Sequence, residues 1–247
     1  MKVLYENKIK DATITYSSET YLYEASNVVT IDSLETWRSD DVDDYLVFEV
    51  DTAGDYDCIG IKNHNFTSGV TITLEANSSD SWGSPAFSET IDYREDTIFQ
   101  YFTAPGSDYA FWRIHIEDAT NIDLYLEVGT IYLGNYLDLS GMTPAHKFTY
   151  NTNSTNFFST SNQVFGDSRL NYKEYSITYP TCTNTERLEI ETWFNYSKNL
   201  TPFFLAIWED TLTIEKPQYA VLPDDALSYT YAVNNLYSIT INYREVQ

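Results

Sequence analysis

The sequence predicts an all-β protein, built as a sandwich or barrel of antiparallel strands. The 247 residues include 22 Tyr and 13 Phe but only 2 Met, and aromatic and β-branched side chains favour strands. Several stretches alternate apolar and polar residues with a period of two, and turn residues separate them at intervals of roughly ten residues. No segment carries a clear helical stripe over three turns.

The clearest pair of strands covers residues 109–117 and 124–134. In the first, Trp112, Ile114 and Ile116 alternate with polar residues, which predicts one buried and one solvated face. A connection rich in Asp, Asn and Thr over residues 118–121 predicts a turn between them. Gly129 lies inside the second strand, where a glycine marks a bulge or a close backbone approach.

The rest of the first half follows the same pattern. Further strands are predicted at 12–16, 27–31, 45–50, 58–61, 70–75, 87–91 and 97–102. An acidic connection covers residues 37–44, and polar loops cover 51–57 and 77–85.

The character of the sequence changes after residue 138. We therefore predict a first domain over 1–138, with an N-terminal extension, and a C-terminal β region over 139–247. Within the second region, residues 149–166 are rich in Asn, Thr and Ser and predict an extended arm or long loop. Strands are predicted at 172–179, 187–196, 202–208 and 236–243.

The charge of the chain restricts its partners. A formal net charge of −23 and a pI near 4.2 disfavour nucleic acid and anionic membranes, because both are negatively charged. The excess acid is interpreted as a solubility feature, with cation binding or a basic partner as the alternative. The first residues do not resemble a secretory signal, and no apolar run approaches the ~20 residues of a membrane helix. We therefore expect a soluble protein made in a cytoplasm.

No catalytic motif is recognisable, and we predict that the protein is not an enzyme. The sequence has no nucleophile elbow, no phosphate-binding glycine loop and no metal-binding spacing among its histidines. His64 and His115 are expected to have hydrogen-bonded structural roles. Cys58 and Cys182 form no Cys-x-x-Cys motif; Cys58 is expected to be buried, and a disulfide between the two cysteines stays open.

A cluster of aspartates in the acidic connection is a weak candidate for a calcium site. Asp40, Asp41, Asp43 and Asp44 could supply oxygen ligands. They lack the spacing of a calcium-binding loop, so a solvated acidic turn is the favoured interpretation, and no cofactor is expected.

Three aromatic residues in predicted loops are candidates for carbohydrate binding. Trp37, Trp82 and Tyr93 could each stack on a sugar ring. For each of them, packing in the core or against a partner is the favoured interpretation.

Four segments together resemble a known family. Residues 59–66, 70–75, 111–121 and 126–134 are similar to the galactose-binding-like (discoidin-type) jelly roll found in tail and baseplate proteins of tailed bacteriophages. The resemblance covers residues 40–137. This chain has Lys62 and Asn63 where the family often has Ala-Gly. Sugar-binding residues of such domains lie in variable loops, so the resemblance transfers none of them to this chain.

The resemblance implies an all-β, jelly-roll β-sandwich with an additional C-terminal β region, in a structural component of a phage virion. We expect a minor tail or baseplate protein, located in the virion tail after synthesis in the host cytoplasm. It would dock on neighbouring tail proteins and form a homo-oligomeric ring. The alternative is a carbohydrate-binding module that contacts a host glycan on the cell surface. A glycan-cleaving enzyme is a further alternative, although 37 Asp and Glu residues make any carboxylate pair unspecific.

Overall fold

A computed structural model describes residues 1–139, 145–152, 155–158, 160–161, 164–167, 171–198, 200–207, 217–223, 226–231, 234 and 236–246. The chain divides into two compact units. The first comprises Met1–Leu137 and Phe204–Pro217, and the second comprises Asp138–Phe203 and Gln218–Gln247.

Strands dominate both units. In chain order the elements are β1 (Lys2–Leu4), β2 (Thr13–Tyr16), a 3₁₀ helix (Ala25–Val29), β3 (Trp37–Arg38), β4 (Asp43–Gly54), β5 (Cys58–His64), β6 (Thr71–Asn77), β7 (Phe87–Ile91), β8 (Thr97–Tyr101), β9 (Tyr109–Glu117), β10 (Glu127–Gly134), β11 (Leu137–Asp138), β12 (Ala145–Thr152), β13 (Thr155–Phe158), β14 (Val164–Asp167), β15 (Asn171–Cys182), α1 (Asn184–Ser197), β16 (Phe203–Ala206), β17 (Gln218–Val221), β18 (Ser228–Tyr231) and β19 (Tyr237–Glu245).

The first unit is a jelly-roll β-sandwich, the fold class that the sequence predicts. A five-stranded sheet in the order β2-β4-β9-β6-β7 faces a four-stranded sheet in the order β3-β10-β5-β8. Leu46 and Ile114 of the first sheet join Ile61 and Val128 of the second in one buried cluster. Alternation places each of these side chains inward, so the opposite side of each strand faces away from this core.

The second unit is organised around the long strand β15. Its neighbours β12 and β19 pair with it antiparallel, and β17 and β18 pair with β19. The rings of Tyr175 and Tyr243 stack between β15 and β19, with centroids 4.8 Å apart. These contacts place the predicted strands at 172–179 and 236–243 in one sheet.

Residues 149–166 differ from the predicted arm where the structure describes them. They contribute to β12, which pairs with β15, and to the hairpin of β13 and β14. Residues 153–154, 159 and 162–163 of the predicted arm lie outside the described residues. The sequence did not predict these strands, because their hydrophobic pattern is weak. The backbone hydrogen bonds that pair two strands form without apolar side chains.

The prediction of a strand at 187–196 is wrong, because this segment lies in helix α1. The Thr183 side chain accepts from the Glu186 N–H at 3.3 Å, and the Thr183 N–H donates to the Glu186 side chain at 2.6 Å. This capping box satisfies two backbone donors of the first turn. Ile190 and Trp193 are both buried and lie three residues apart in the helix. The Trp193 ring packs edge-on against the Phe203 ring, with centroids 5.1 Å apart.

Gly129 in β10 makes the close backbone approach that the sequence predicts. A Cβ atom at this position would lie 2.1 Å from the carbonyl oxygen of Ser33. The same carbonyl accepts a hydrogen bond from Asn63 Nδ2 at 2.6 Å. Only a residue without a side chain allows this loop to lie directly on the strand.

Both cysteines are free and buried, so Cys58 and Cys182 form no disulfide. Burial raises the pKa of each thiol, most strongly for Cys58. Of the helices that the structure describes, none combines the length and the apolar character needed to span a bilayer.

Candidate functional site

The best candidate site is the side of the five-stranded sheet that faces away from the core. We call this surface the outer face and define it by Tyr45, Thr73, Glu75, Arg113 and His115. Strand register places Tyr45, His115 and Thr73 in one row across β4, β9 and β6. The next row contains Arg113 and Glu75. Strand alternation therefore brings hydroxyl, carboxylate, guanidinium and imidazole groups together on one surface.

Arg113 organises the centre of the outer face. Its Nε donates to Glu75 Oε2 at 2.5 Å, and Nη2 lies 2.5 Å from the same oxygen. The side chains of Arg113 and Glu75 are only 15% and 10% exposed, so this ion pair is largely shielded from solvent. The guanidinium carbon lies 5.5 Å from the centroid of the Tyr45 ring. The position of the cation is therefore fixed from two sides.

Trp82 lies over this cation from the loop between β6 and β7. The Arg113 guanidinium carbon is 4.8 Å from the indole centroid, a cation–π distance. The indole Nε1 donates to Asp80 Oδ1 at 2.6 Å. These two contacts hold the ring in place, while its side chain stays partly exposed. Of the aromatic candidates from the sequence, Trp82 is the one that joins the outer face.

Asp43, His115 and Glu117 form a cluster near the start of β4. Asp43 lies directly opposite Glu117 in the ladder of β4 and β9, and His115 precedes Glu117 by two residues on the same face. His115 Nε2 lies 2.8 Å from Asp43 Oδ1. The structure thus gives His115 the hydrogen-bonded position that the sequence predicts. One ligand atom from each residue lies within 4.8 Å of the other two.

The four aspartates proposed as a calcium site do not act together. Asp40 accepts from Thr20 at 3.0 Å, Asp41 from the N–H of Val42 at 2.7 Å, and Asp44 from Ser18 at 2.5 Å; Asp43 instead contacts His115. Asp43 and Asp44 are consecutive in β4, and alternation sends consecutive side chains to opposite faces. The four side chains therefore do not converge on one position, which favours the solvated acidic turn over the weak calcium candidate.

Trp37 cannot stack on a sugar, because it is 0% exposed in the core of the first unit. Its Nε1 donates to the carbonyl oxygen of Ser18 at 3.0 Å. Tyr93 is partly buried and packs against the core, with its ring 6.1 Å from that of His64. For both residues the structure shows the packing role that the sequence analysis favoured.

His64 has the hydrogen-bonded structural role that the sequence predicts. Its Nδ1 accepts from the N–H of Phe66 at 3.3 Å, and the two rings stack with centroids 4.5 Å apart. Burial lowers the pKa of His64 from 6.5 to about 4. His64 is therefore neutral at pH 7 and contributes to packing.

A second aromatic cluster surrounds Arg38. Its guanidinium carbon lies 3.9 Å from the Tyr23 centroid and 4.3 Å from the Tyr125 centroid, and Nη2 donates to Glu127 at 2.8 Å. Arg38 is thus held by two rings and a carboxylate, as Arg113 is, and its side chain is 25% exposed.

The second unit contains a polar cleft of about 500 Å³. Its lining residues are Lys147, Thr149, Glu174, Tyr175, Ser176, Pro223, Asn242, Tyr243 and Arg244. Arg244 Nη2 donates to Glu174 Oε1 at 2.6 Å, and Glu174 also accepts from Asn151 at 2.7 Å. Arg244 and Glu174 satisfy each other, and none of the described lining residues is a tryptophan.

Sequence reasoning did not identify Tyr45, Glu75 and Arg113 as site residues. The alternation of β9 predicted that Arg113 faces away from the core, which was the available signal. The sequence could not show that Glu75 and Trp82 meet Arg113, because they lie 38 and 31 positions away along the chain.

Comparison with known proteins found similarity to solved structures. No family model matches the sequence, and no curated protein matches it. A chitosan-binding module of a chitosanase/glucanase from Paenibacillus sp. IK-5 is 18% identical, covers 52% of this chain and 98% of its own, and has a TM-score of 0.42. A family 32 carbohydrate-binding module from C. perfringens NanJ, solved with galactose, is 13% identical and has a TM-score of 0.42. This match covers 56% of the present chain and 100% of the module. A Streptococcus pneumoniae fucose-binding module is 8% identical and has a TM-score of 0.42. This match covers 52% of the present chain and 94% of the module.

Proposed function

We propose that the first unit is a carbohydrate-binding module that binds a glycan on the outer face, against Trp82. The observation that carries this proposal is the position of the Trp82 ring. It is held by Arg113 and Asp80 and remains partly exposed. A sugar presents an apolar face of C–H groups, which packs well against an aromatic ring of fixed orientation.

The polar rows beside Trp82 supply the second requirement of sugar binding, which is orientation through hydroxyl groups. Thr73 and His115 lie side by side and are partly exposed. The hydroxyl and imidazole groups can each donate or accept a hydrogen bond. Because these groups lie on paired strands, little side-chain order has to be gained on binding.

The proposal is tested with a glycan array on the full chain, followed by titration of the sugars that bind. We expect saturable binding that Trp82→Ala weakens by more than about tenfold, since truncating a central aromatic typically costs about 2 kcal/mol or more. The matched control is Tyr21→Ala, which removes a ring that is 87% exposed on another loop. It should leave binding unchanged.

Two outcomes would contradict the proposal. The first is the absence of saturable binding to any glycan of the array. The second is equal affinity of the parent and Trp82→Ala, which would move the site away from Trp82.

The place of such a module in a tailed-phage virion rests on the sequence resemblance and stays a prediction. The same holds for the minor tail or baseplate position, the homo-oligomeric ring and the tail location. A glycan-binding module of a tail would contact the host cell surface. Imaging of virions labelled at this protein would test that setting separately from sugar binding.

A further inference from the structure

We propose that Asp43, His115 and Glu117 form a binding site for a divalent transition-metal ion of the zinc class. The three residues offer two carboxylates and one imidazole on the same side of β4 and β9. Zinc is bound by this combination of oxygen and nitrogen ligands in proteins. This proposal does not rest on glycan binding, although His115 belongs both to the metal cluster and to the outer face.

The strand register gives the three ligands their common direction. Asp43 and Glu117 are direct cross-strand partners, and His115 lies two residues from Glu117. Residues in these positions project from the same face of a sheet, with short distances between their side chains. The ligands therefore stand on paired strands, which hold their geometry more precisely than a loop does.

The distances are close to those that a bound ion requires. Ligand atoms at about 2.0–2.1 Å from a tetrahedral zinc are separated from one another by roughly 3.3 Å. One ligand atom from each residue already lies within 4.8 Å of the others, and His115 Nε2 is 2.8 Å from Asp43 Oδ1. The Asp43 and Glu117 side chains are both exposed, so both carboxylates are open to an ion from solvent.

The charges at this position favour a cation. Two carboxylates directly opposite each other in a ladder repel, which destabilises the pair of strands. A divalent ion between them converts this repulsion into attraction, and the net charge of −23 raises the local concentration of cations. The imidazole provides the nitrogen ligand that a purely acidic surface lacks.

The ligand set favours zinc over calcium. Calcium takes six to eight oxygen ligands, whereas this cluster offers two carboxylates and one nitrogen. His115 is 29% exposed and Asp43 is 63% exposed at the side chain. Water can therefore occupy the remaining coordination position of a bound zinc ion.

The experiment is isothermal titration of the full chain with zinc chloride, and separately with calcium chloride, at neutral pH and moderate salt. We expect one saturable zinc site and calcium binding at least about tenfold weaker. His115→Gln, which retains a donor for Asp43, should weaken zinc binding by more than about tenfold, since losing even an outer-sphere partner costs about 10–100-fold. Glu117→Gln should give a similar loss.

Glu49→Gln is the matched control. Glu49 is an exposed carboxylate on the same side of β4, six residues from Asp43, or about 20 Å along the strand. This variant removes the same charge as Glu117→Gln and should keep zinc affinity within about twofold, since screening leaves little interaction between exposed charges at that distance.

Three results would overturn the proposal. They are no saturable zinc binding by the parent, equal zinc affinity in the parent and both ligand variants, and a loss in Glu49→Gln as large as in Glu117→Gln. The last result would show a diffuse cation atmosphere. Circular dichroism and the denaturation midpoint of each variant confirm that the fold is retained. Because no sugar is present in the titration, failure of the metal site and failure of glycan binding are distinguishable.

Discussion

His64 lies at the end of β5, where its surroundings exclude its charged form. Burial lowers its pKa to about 4, compared with 6.5 for an exposed imidazole. As the pH falls, the unfolded chain therefore takes up this proton before the folded chain does. The stability that follows from a neutral His64 is complete above pH 6.5 and is lost as the pH falls toward 4.

We predict that His64→Asn reduces this loss of stability. Asn retains an acceptor for the N–H of Phe66 but does not titrate. Between pH 7 and pH 4 the free energy of unfolding should fall by about 2–3 kcal/mol less in the variant than in the parent. Urea denaturation across this range measures the difference.

Phe66→Leu is the control for His64→Asn. It removes ring packing against His64 but keeps the imidazole, so it should lower stability at every pH and preserve the pH dependence of the parent. Identical pH profiles for His64→Asn and the parent would show that another group causes the loss of stability in acid.

Gly129 and Trp37 show how differently single residues can be interpreted from sequence. A glycine inside a strand has few explanations, and the contact with the Ser33 carbonyl confirms the predicted close approach. A tryptophan in an acidic connection suits both a binding loop and a core. The burial of Trp37 decided between these possibilities, and burial depends on strands far away in the chain.

Helix α1 was not predicted because its apolar stripe is narrow. Ile190 and Trp193 are buried, but exposed Leu188 precedes them and partly buried Phe194 follows them, and both blur the helical period. The local signal that was available was the capping box of Thr183 and Glu186. Helix caps are therefore as informative as periodicity for a short amphipathic helix.

We predict that Thr183→Ala lowers the free energy of unfolding by about 1 kcal/mol, because it leaves the N–H of Glu186 without its cap. Thr185→Ala is the control, since Thr185 is an exposed residue in the same first turn and does not cap the helix. Thermal or urea denaturation of the two variants gives the comparison. A larger loss for Thr185→Ala than for Thr183→Ala would contradict the assigned cap.

The strands of the sandwich were the most predictable elements. In β9 the buried residues Trp112, Ile114 and Ile116 alternate with outward residues without interruption. In β4 and β6 the same alternation is interrupted only at Val47 and Glu75, which are buried although they point away from the core. Such alternation fixes the register, because a shift of one residue would turn the apolar set outward. The same alternation fixed which side chains form the outer face.

The charge of the whole chain affects its stability as well as its partners. A net charge of −23 makes the compact state repel itself. Sodium chloride between about 0.01 M and 1 M reduces the Debye length from about 30 Å to about 3 Å. We predict that the thermal midpoint rises over this range.

Potassium chloride at the same ionic strength should raise the midpoint equally, because screening depends on ionic strength rather than on the identity of a monovalent ion. A midpoint that falls with salt would mean that attractive ion pairs, such as Arg113 with Glu75, outweigh the repulsion of the excess carboxylates.

The sequence by itself determined the all-β fold class, most strands of the first unit, the backbone approach at Gly129 and the outward direction of Arg113 and His115. Each of these depends on local alternation or on a property of one residue type. The tertiary structure alone decided that Trp82 lies over Arg113, that Glu75 pairs with it, and that Asp43 meets His115 and Glu117. These contacts join residues 31 to 74 positions apart. The pairing of strands that are distant in the chain brings them together, whereas alternation within one strand decides only the face on which each side chain lies.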